Sequence, residues 1–140
     1  MKIALGLGCD RNTPLATVKA AIDQALALCQ ASLDDVNAVA SIDLKADEPA
    51  LLQLAAEQGW NIRFYRAQEL AQVDVPNPSE TVRKHTGTPS VSEAAALLAA
   101  QPNTPNAPNT PDKTNLIIEK HRHRGPDGRN ATVSIARIPE

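Results

Sequence analysis

The sequence predicts an α/β domain: a mostly parallel sheet with helices on its faces and an antiparallel hairpin at the end of the chain. Three observations carry this. Short apolar runs at Lys2–Leu7, Val36–Ile42 and Asn61–Tyr65 alternate with helical patterns, the strand–helix–strand order of a parallel sheet. Proline and glycine punctuate the element ends, with Pro14 and Pro49 at helix starts and Gly59 just past a helix end. Two late strand-like stretches, Leu116–Lys120 and Ala131–Ile138, flank HRHRGPDGRN, whose Gly-Pro and Asp-Gly pairs read as a turn.

The 140 residues suit a single domain, 1–140, with a flexible proline-rich connection at 101–115. Apolar residues are 42% but aromatics only 2%, so the expected core is aliphatic and rich in alanine. Against 16 acidic residues stand 14 Lys and Arg, which excludes a wholly basic nucleic-acid face. No run approaches the roughly 18–20 apolar residues of a membrane span. The start, MKIALGLGCD, is too short in its apolar part for a signal peptide. With only Cys9 and Cys29, the chain reads as a cytoplasmic protein with free thiols.

After the first strand comes GLGCDRNTP, Gly6 to Pro14. Two glycines near a strand end let the backbone turn and let a ligand approach it. Thr13 before Pro14 reads as a helix cap followed by proline at the first helical position. The free N–H groups of a helix start favour anions, and Arg11 adds a fixed positive charge. Two readings fit: one wall of an anion-accepting crevice built on Gly8, Cys9, Arg11 and Thr13, or an ordinary strand-to-helix turn. Arg11 takes the place of the third glycine of a dinucleotide fingerprint, and no Gly-Lys-Ser/Thr of a P-loop follows.

The helix from Pro14 to about Gln30 places Leu15, Val18, Ile22, Leu26 and Cys29 on one face. Charges gather just past the second strand, at Asp43, Lys45, Asp47 and Glu48. A helix then runs from Pro49 to Gly59. Trp60, Phe64 and Tyr65, the chain's three aromatics, read as strand packing rather than a stacking platform. Pro76 and Pro78 hold a long third loop extended. Ser79 can cap a turn at Glu80–Lys84, and a polar cluster follows: Lys84, His85, Thr86, Gly87 and Thr88. Ser90 and Glu93 have the spacing of a capping box for an alanine-rich helix ending near Ala100. In a parallel sheet the loops after the strands' carboxyl ends share one rim, where ligands bind. Gly8–Thr13, Asp43–Glu48 and the loop after Tyr65 are therefore expected to line one site.

No Cys-x-x-Cys, His-Glu-x-x-His or Gly-x-Ser-x-Gly is present. His121 and His123 lie two apart, with no cysteine or carboxylates placed to complete a metal site, so the hairpin reads as solvated and basic. The expectation is no metal, no cofactor, no nucleic acid and no membrane. A Cys9–His85 nucleophile pair is conceivable on the rim. The cations and hydroxyls suit a polyanionic ligand better.

Three stretches carry a resemblance. GLGC near the start, SIDLKADEPALLQLA (Ser41 to Ala55) and VPNPSETVRKHTGTPSVSEAAALLAA (Val75 to Ala100) look like the CobE / CbiG C-terminal family of cobalamin biosynthesis, and ATVSIAR (Ala131 to Arg137) is similar to its final strand. The resemblance covers residues 2–100 and 131–137 and implies a three-layer α/β/α domain of the stand-alone CobE type. It implies binding or carrying of a corrinoid or precorrin intermediate, whose acetate and propionate arms suit a cationic rim. Its site positions map to Gly8, Cys9, Asp43, Lys45, Asp47, Glu48, Asn77, Ser79, Glu80, Lys84, His85, Thr86, Gly87 and Thr88. Two other roles follow from it. One is hydrolysis of a ring-A lactone of a cobalt-precorrin, with His85 as general base. The other is that of a structural partner for a pathway enzyme. Where the family's first loop continues Arg-Arg-Gly, this chain has Asp10, Arg11 and Asn12, which exchanges one positive charge for a negative one. The proline-rich insert and the basic hairpin tip have no counterpart there.

Overall fold

The structure, a computed structural model, describes residues 1–76, 91–101 and 111–139. Five strands form one mixed sheet in the order β3-β2-β1-β5-β4. They are β1 (Ile3–Cys9), β2 (Val36–Ile42), β3 (Arg63–Tyr65), β4 (Leu116–Arg124) and β5 (Asn130–Arg137). β1 pairs in parallel with β2, and β2 with β3. β5 runs antiparallel between β1 and β4. The helices are α1 (Leu15–Leu28), α2 (Pro49–Gln58), α3 (Ala67–Ala71) and α4 (Val91–Ala99). Among the described residues no helix is long and apolar enough to cross a membrane.

The sheet has a different chemistry on each face. Ile3, Leu5 and Leu7 of β1 alternate onto one face with Val133 and Ile135 of β5, where α1 and α2 cover them with Val18, Ile22, Leu51 and Leu54. Each such side chain, fully buried, contributes about 1.5–3 kcal/mol. Ala4, Ala40 and Ala136 face the other way, under Ala94, Ala95, Ala96 and Leu97 of α4 and Leu70 of α3. The result is the expected three-layer α/β/α arrangement. Small residues on both partners let α4 lie close to the sheet. Gly6 sits at the closest approach: a Cβ there would collide with the Ser92 carbonyl oxygen and lie 2.6 Å from the Ala96 nitrogen. Gly6 is thus a mid-strand packing residue, not the sharp turn with room for a ligand that its sequence context suggests.

Other local expectations are revised. Thr13 does not cap α1, whose N-terminal boundary residue is Pro14 with no side-chain cap. The Thr13 hydroxyl instead donates to the Asp10 carbonyl at 2.6 Å. The left-handed residue of that loop is Asn12, at φ 66°. α2 matches its signals, with Pro49 at its start and Gly59 at φ 70° past its end. The long third loop contains the short helix α3, fixed by Glu69, which accepts from the Arg66 N–H at 3.0 Å. His121, Arg122, His123 and Arg124 belong to β4 rather than to the turn. The turn closes where the Gly128 N–H donates to the Gly125 carbonyl at 3.0 Å. Cys29, expected to be buried as the close of the apolar stripe, packs against the core but is only half-buried. Glu93 is fully buried on α4, while its capping partner Ser90 lies outside the described residues. So do the Ser79 cap, the Glu80–Lys84 turn and residues 102–110.

Candidate binding cleft

The loops after β1 and β2 meet beside the start of α4 and the middle of the hairpin, around a cleft of about 700 Å³. Its base crosses three strands in register. Gly8 of β1 faces Thr132 of β5, and Thr132 faces Arg122 of β4. A Cβ at Gly8 would lie 2.7 Å from Thr132 Oγ1, so glycine keeps this base open. Ile42, Leu44 and Val91 add apolar wall, and Lys45, Ser92 and Asn130 add polar groups.

The mouth is held by an interloop clamp. Arg11 donates through Nη1 to Asp47 Oδ1 at 2.9 Å and through Nη2 to the Leu44 carbonyl at 2.8 Å. Arg11 Nη1 also lies 2.9 Å from Glu48 Oε2, an ion pair without the directed geometry of a hydrogen bond. Glu48 is fully buried, and its Oε1 accepts from the Asn12 N–H at 2.8 Å. The Arg11 guanidinium beside Asp47 holds that exposed carboxyl below its ordinary range. From the hairpin side, Asp10 Oδ2 accepts from the Asn130 N–H at 2.7 Å, and Arg129 Nε donates to the Arg11 carbonyl at 3.1 Å. Asp10, the residue that exchanges a charge in this loop, therefore serves as a hydrogen-bond acceptor for β5.

Four cations reach the cleft, and they divide into two kinds. Arg11 is occupied by the clamp. Lys120 Nζ lies 3.6 Å from the buried Glu93 Oε1. Lys45 is half-buried and Arg122 exposed, and neither side chain has a hydrogen bond or salt bridge among the described residues. His121 and His123 do not take part. Both meet the Gln24 amide of α1, His121 Nε2 at 2.7 Å from Oε1 and His123 Nδ1 at 3.2 Å from Nε2. Among the described residues no group of three or more His, Cys, Asp or Glu could hold a metal ion.

Cys9 stands half-buried between cleft and core. Burial pushes its thiol up, and the Lys45 charge pulls partly the other way. A raised thiol pKa favours the protonated folded state. The stability it confers is full below the ordinary thiol value and is lost as pH rises through the folded value. In a Cys29→Ala background, native Cys9 is expected to alkylate more slowly at pH 8.5 than in denaturant. Equal rates would remove the burial assignment.

Of the residues singled out from sequence, Gly8, Cys9, Arg11 and Lys45 line the cleft. Thr13 and Glu48 are buried behind it, Asp47 belongs to the clamp, and Asp43 is exposed on the tight turn after β2. Asn77, Ser79, Glu80, Lys84, His85, Thr86, Gly87 and Thr88 lie outside the described residues. Sequence reading missed Lys120, Arg122, Asn130 and Thr132. The signal was present in the alternation Lys120, Arg122, Arg124, which puts cations on one face once the stretch is a strand.

Comparison with known proteins agrees with this architecture. The chain is 36% identical over 137 residues to a protein named cobalt-precorrin-5A hydrolase from Priestia megaterium, covering 98% of this chain and 32% of that protein. It is 42% identical over 100 residues to Protein CobE from a Sinorhizobium species, covering 70% of this chain and 65% of that one. The chain thus spans about a third of the hydrolase and under two thirds of that CobE. The crystal structure of CobE, described as a protein from the cobalamin (vitamin B12) biosynthetic pathway, superposes with a TM-score of 0.73 at 28% identity, over 99% of this chain and 91% of that one. The cobalamin biosynthesis protein chiG from Agrobacterium tumefaciens superposes with a TM-score of 0.63 at 27% identity, over 99% of both chains. Residues 3–136 match the family described as Cobalamin synthesis G C-terminus, and the chain belongs to that family.

Proposed function

We propose that the cleft binds a corrinoid or precorrin intermediate of cobalamin synthesis, and that the protein carries it between pathway enzymes. The observation that carries this reading is a cleft of about 700 Å³ with apolar wall and two cations, Lys45 and Arg122, whose side chains have no hydrogen bond or salt bridge among the described residues. Such a surface suits a flat, apolar macrocycle with carboxylate arms. Each charge-assisted contact contributes on the order of 1.5–3 kcal/mol. Lys84, His85 and the hydroxyls of Ser79, Thr86 and Thr88 are proposed as further ligand groups, and Asn77, Glu80 and Gly87 as their framework. A cytoplasmic setting accords with the two free thiols.

A second reading is hydrolysis of a ring-A lactone, with His85 moving the proton. It is favoured by the hydrolase named among the relatives. Titrating the purified protein with dicyanocobyrinic acid and with pathway precorrins, read by the pigment's own absorbance and by co-elution on gel filtration, tests both. Saturable binding without chemical change supports the carrier. A gain of one water in the ligand's mass supports the hydrolase. Neither result would favour a structural partner of a pathway enzyme.

A further inference from the structure

We propose that, of the four cations that line the cleft among the described residues, Lys45 and Arg122 are the ones that read the ligand's carboxylates, which makes the terminal hairpin a specificity element of the site. This rests on the reading of the cleft as a corrinoid site. The argument is one of elimination among the four cations. Arg11 is held by two carboxylates and a carbonyl, so a ligand carboxylate must compete with Asp47 and Glu48. Lys120 faces a fully buried Glu93, so drawing it outward would weaken the pairing of a buried charge. Lys45 and Arg122 have no such obligations among the described residues, and both line the cleft.

Their placement also selects the ligand's shape. Lys45 follows β2 and Arg122 lies on β4, with β1 and β5 between. Three strand spacings separate β2, which leads into Lys45, from β4 by roughly 14 Å. Two carboxylates on opposite edges of a wide ring fit that span, with the ring over Gly8 and Thr132. Thr132 and Arg122 are direct cross-strand partners, so their side chains leave the sheet on the same face.

The experiment compares dicyanocobyrinic acid with its methyl ester, which keeps the ring and removes the charges. Lys45→Gln and Arg122→Gln are each expected to weaken binding of the acid at least about tenfold. Their affinity for the ester should equal that of the parent. Lys45→Arg and Arg122→Lys should recover part of the acid affinity. Lys19→Gln, which removes the same charge from the far end of a pair with Glu57, should change nothing and controls for net charge. Acid binding by both Gln variants within twofold of the parent would overturn the proposal and leave the carrier reading standing. So would an equal loss for acid and ester, which would mean packing rather than charge. A parent that binds neither compound would fail the carrier reading itself, and this assignment with it.

Discussion

Gly6→Ala is expected to lower stability by about 3 kcal/mol or more, near the top of the range for overpacking. The added methyl meets backbone, the Ser92 carbonyl oxygen and the Ala96 nitrogen, and not the end of a side chain that could rotate aside. Relief requires α4 to lift off β1. That would loosen the contacts of Ala94 to Leu97 with Ala4, Ala40 and Ala136 and displace Val91 and Ser92 at the cleft. Denaturant unfolding of the variant measures the loss. A change under about 1 kcal/mol would mean that α4 moves off β1 at little cost and that the close approach at Gly6 is not what sets their spacing.

Glu48→Ala is expected to cost about 2–4 kcal/mol, because it strips a fully buried carboxylate from two partners at once. The Asn12 N–H loses its acceptor in a loop already committed to a left-handed residue. Arg11 loses one of its two carboxylates. Arg11 is half-exposed, which puts the expected cost below that of a wholly buried pair. Glu48→Gln keeps an acceptor for Asn12 and should cost less than the alanine variant. Unfolding of both variants, with Arg11→Ala and the double mutant completing a cycle, separates the N–H contact from the ion pair. Equal losses for Gln and Ala would assign the whole effect to charge.

The fold class was legible because the strands and long helices differ in period. The short apolar run of β1, buried on both faces, and the three-and-four spacing of α1 differ in length and pattern, and Pro49 and Gly59 bracket α2. α3 was missed because five residues are too few to show a helical period. β4 was read short because its basic half is exposed at every second residue, and charge there looks like a solvated turn. The rim rule brought Gly8–Arg11 and Lys45 to one cleft, since it depends only on strand direction, but no described residue of the loop after Tyr65 lines that cleft. It could not supply Arg122, whose place in the cleft depends on β5 running between β1 and β4. Nor does a sequence show which charges are spoken for. Arg11 reads as a ligand group until Asp47 and Glu48 are seen around it.

The position of β5 has a consequence for how the chain reaches this state. Among the described residues β1 precedes every other strand, yet one of its two neighbours in the sheet is β5, which follows all the others. Asp10 and Asn130, at the top of that pair, are 120 positions apart. Loop-closure entropy for such a separation must be overcome before the contact stabilises anything. Until then the inner edge of β1, in the middle of the finished sheet, stays open, with Leu5 and Leu7 beside it. Of the described strand pairs, β1–β5 spans the largest sequence separation, so the centre of the sheet rests on the kind of non-local contact that slows folding. The same edge is where a nascent or partly unfolded copy would pair with a neighbour.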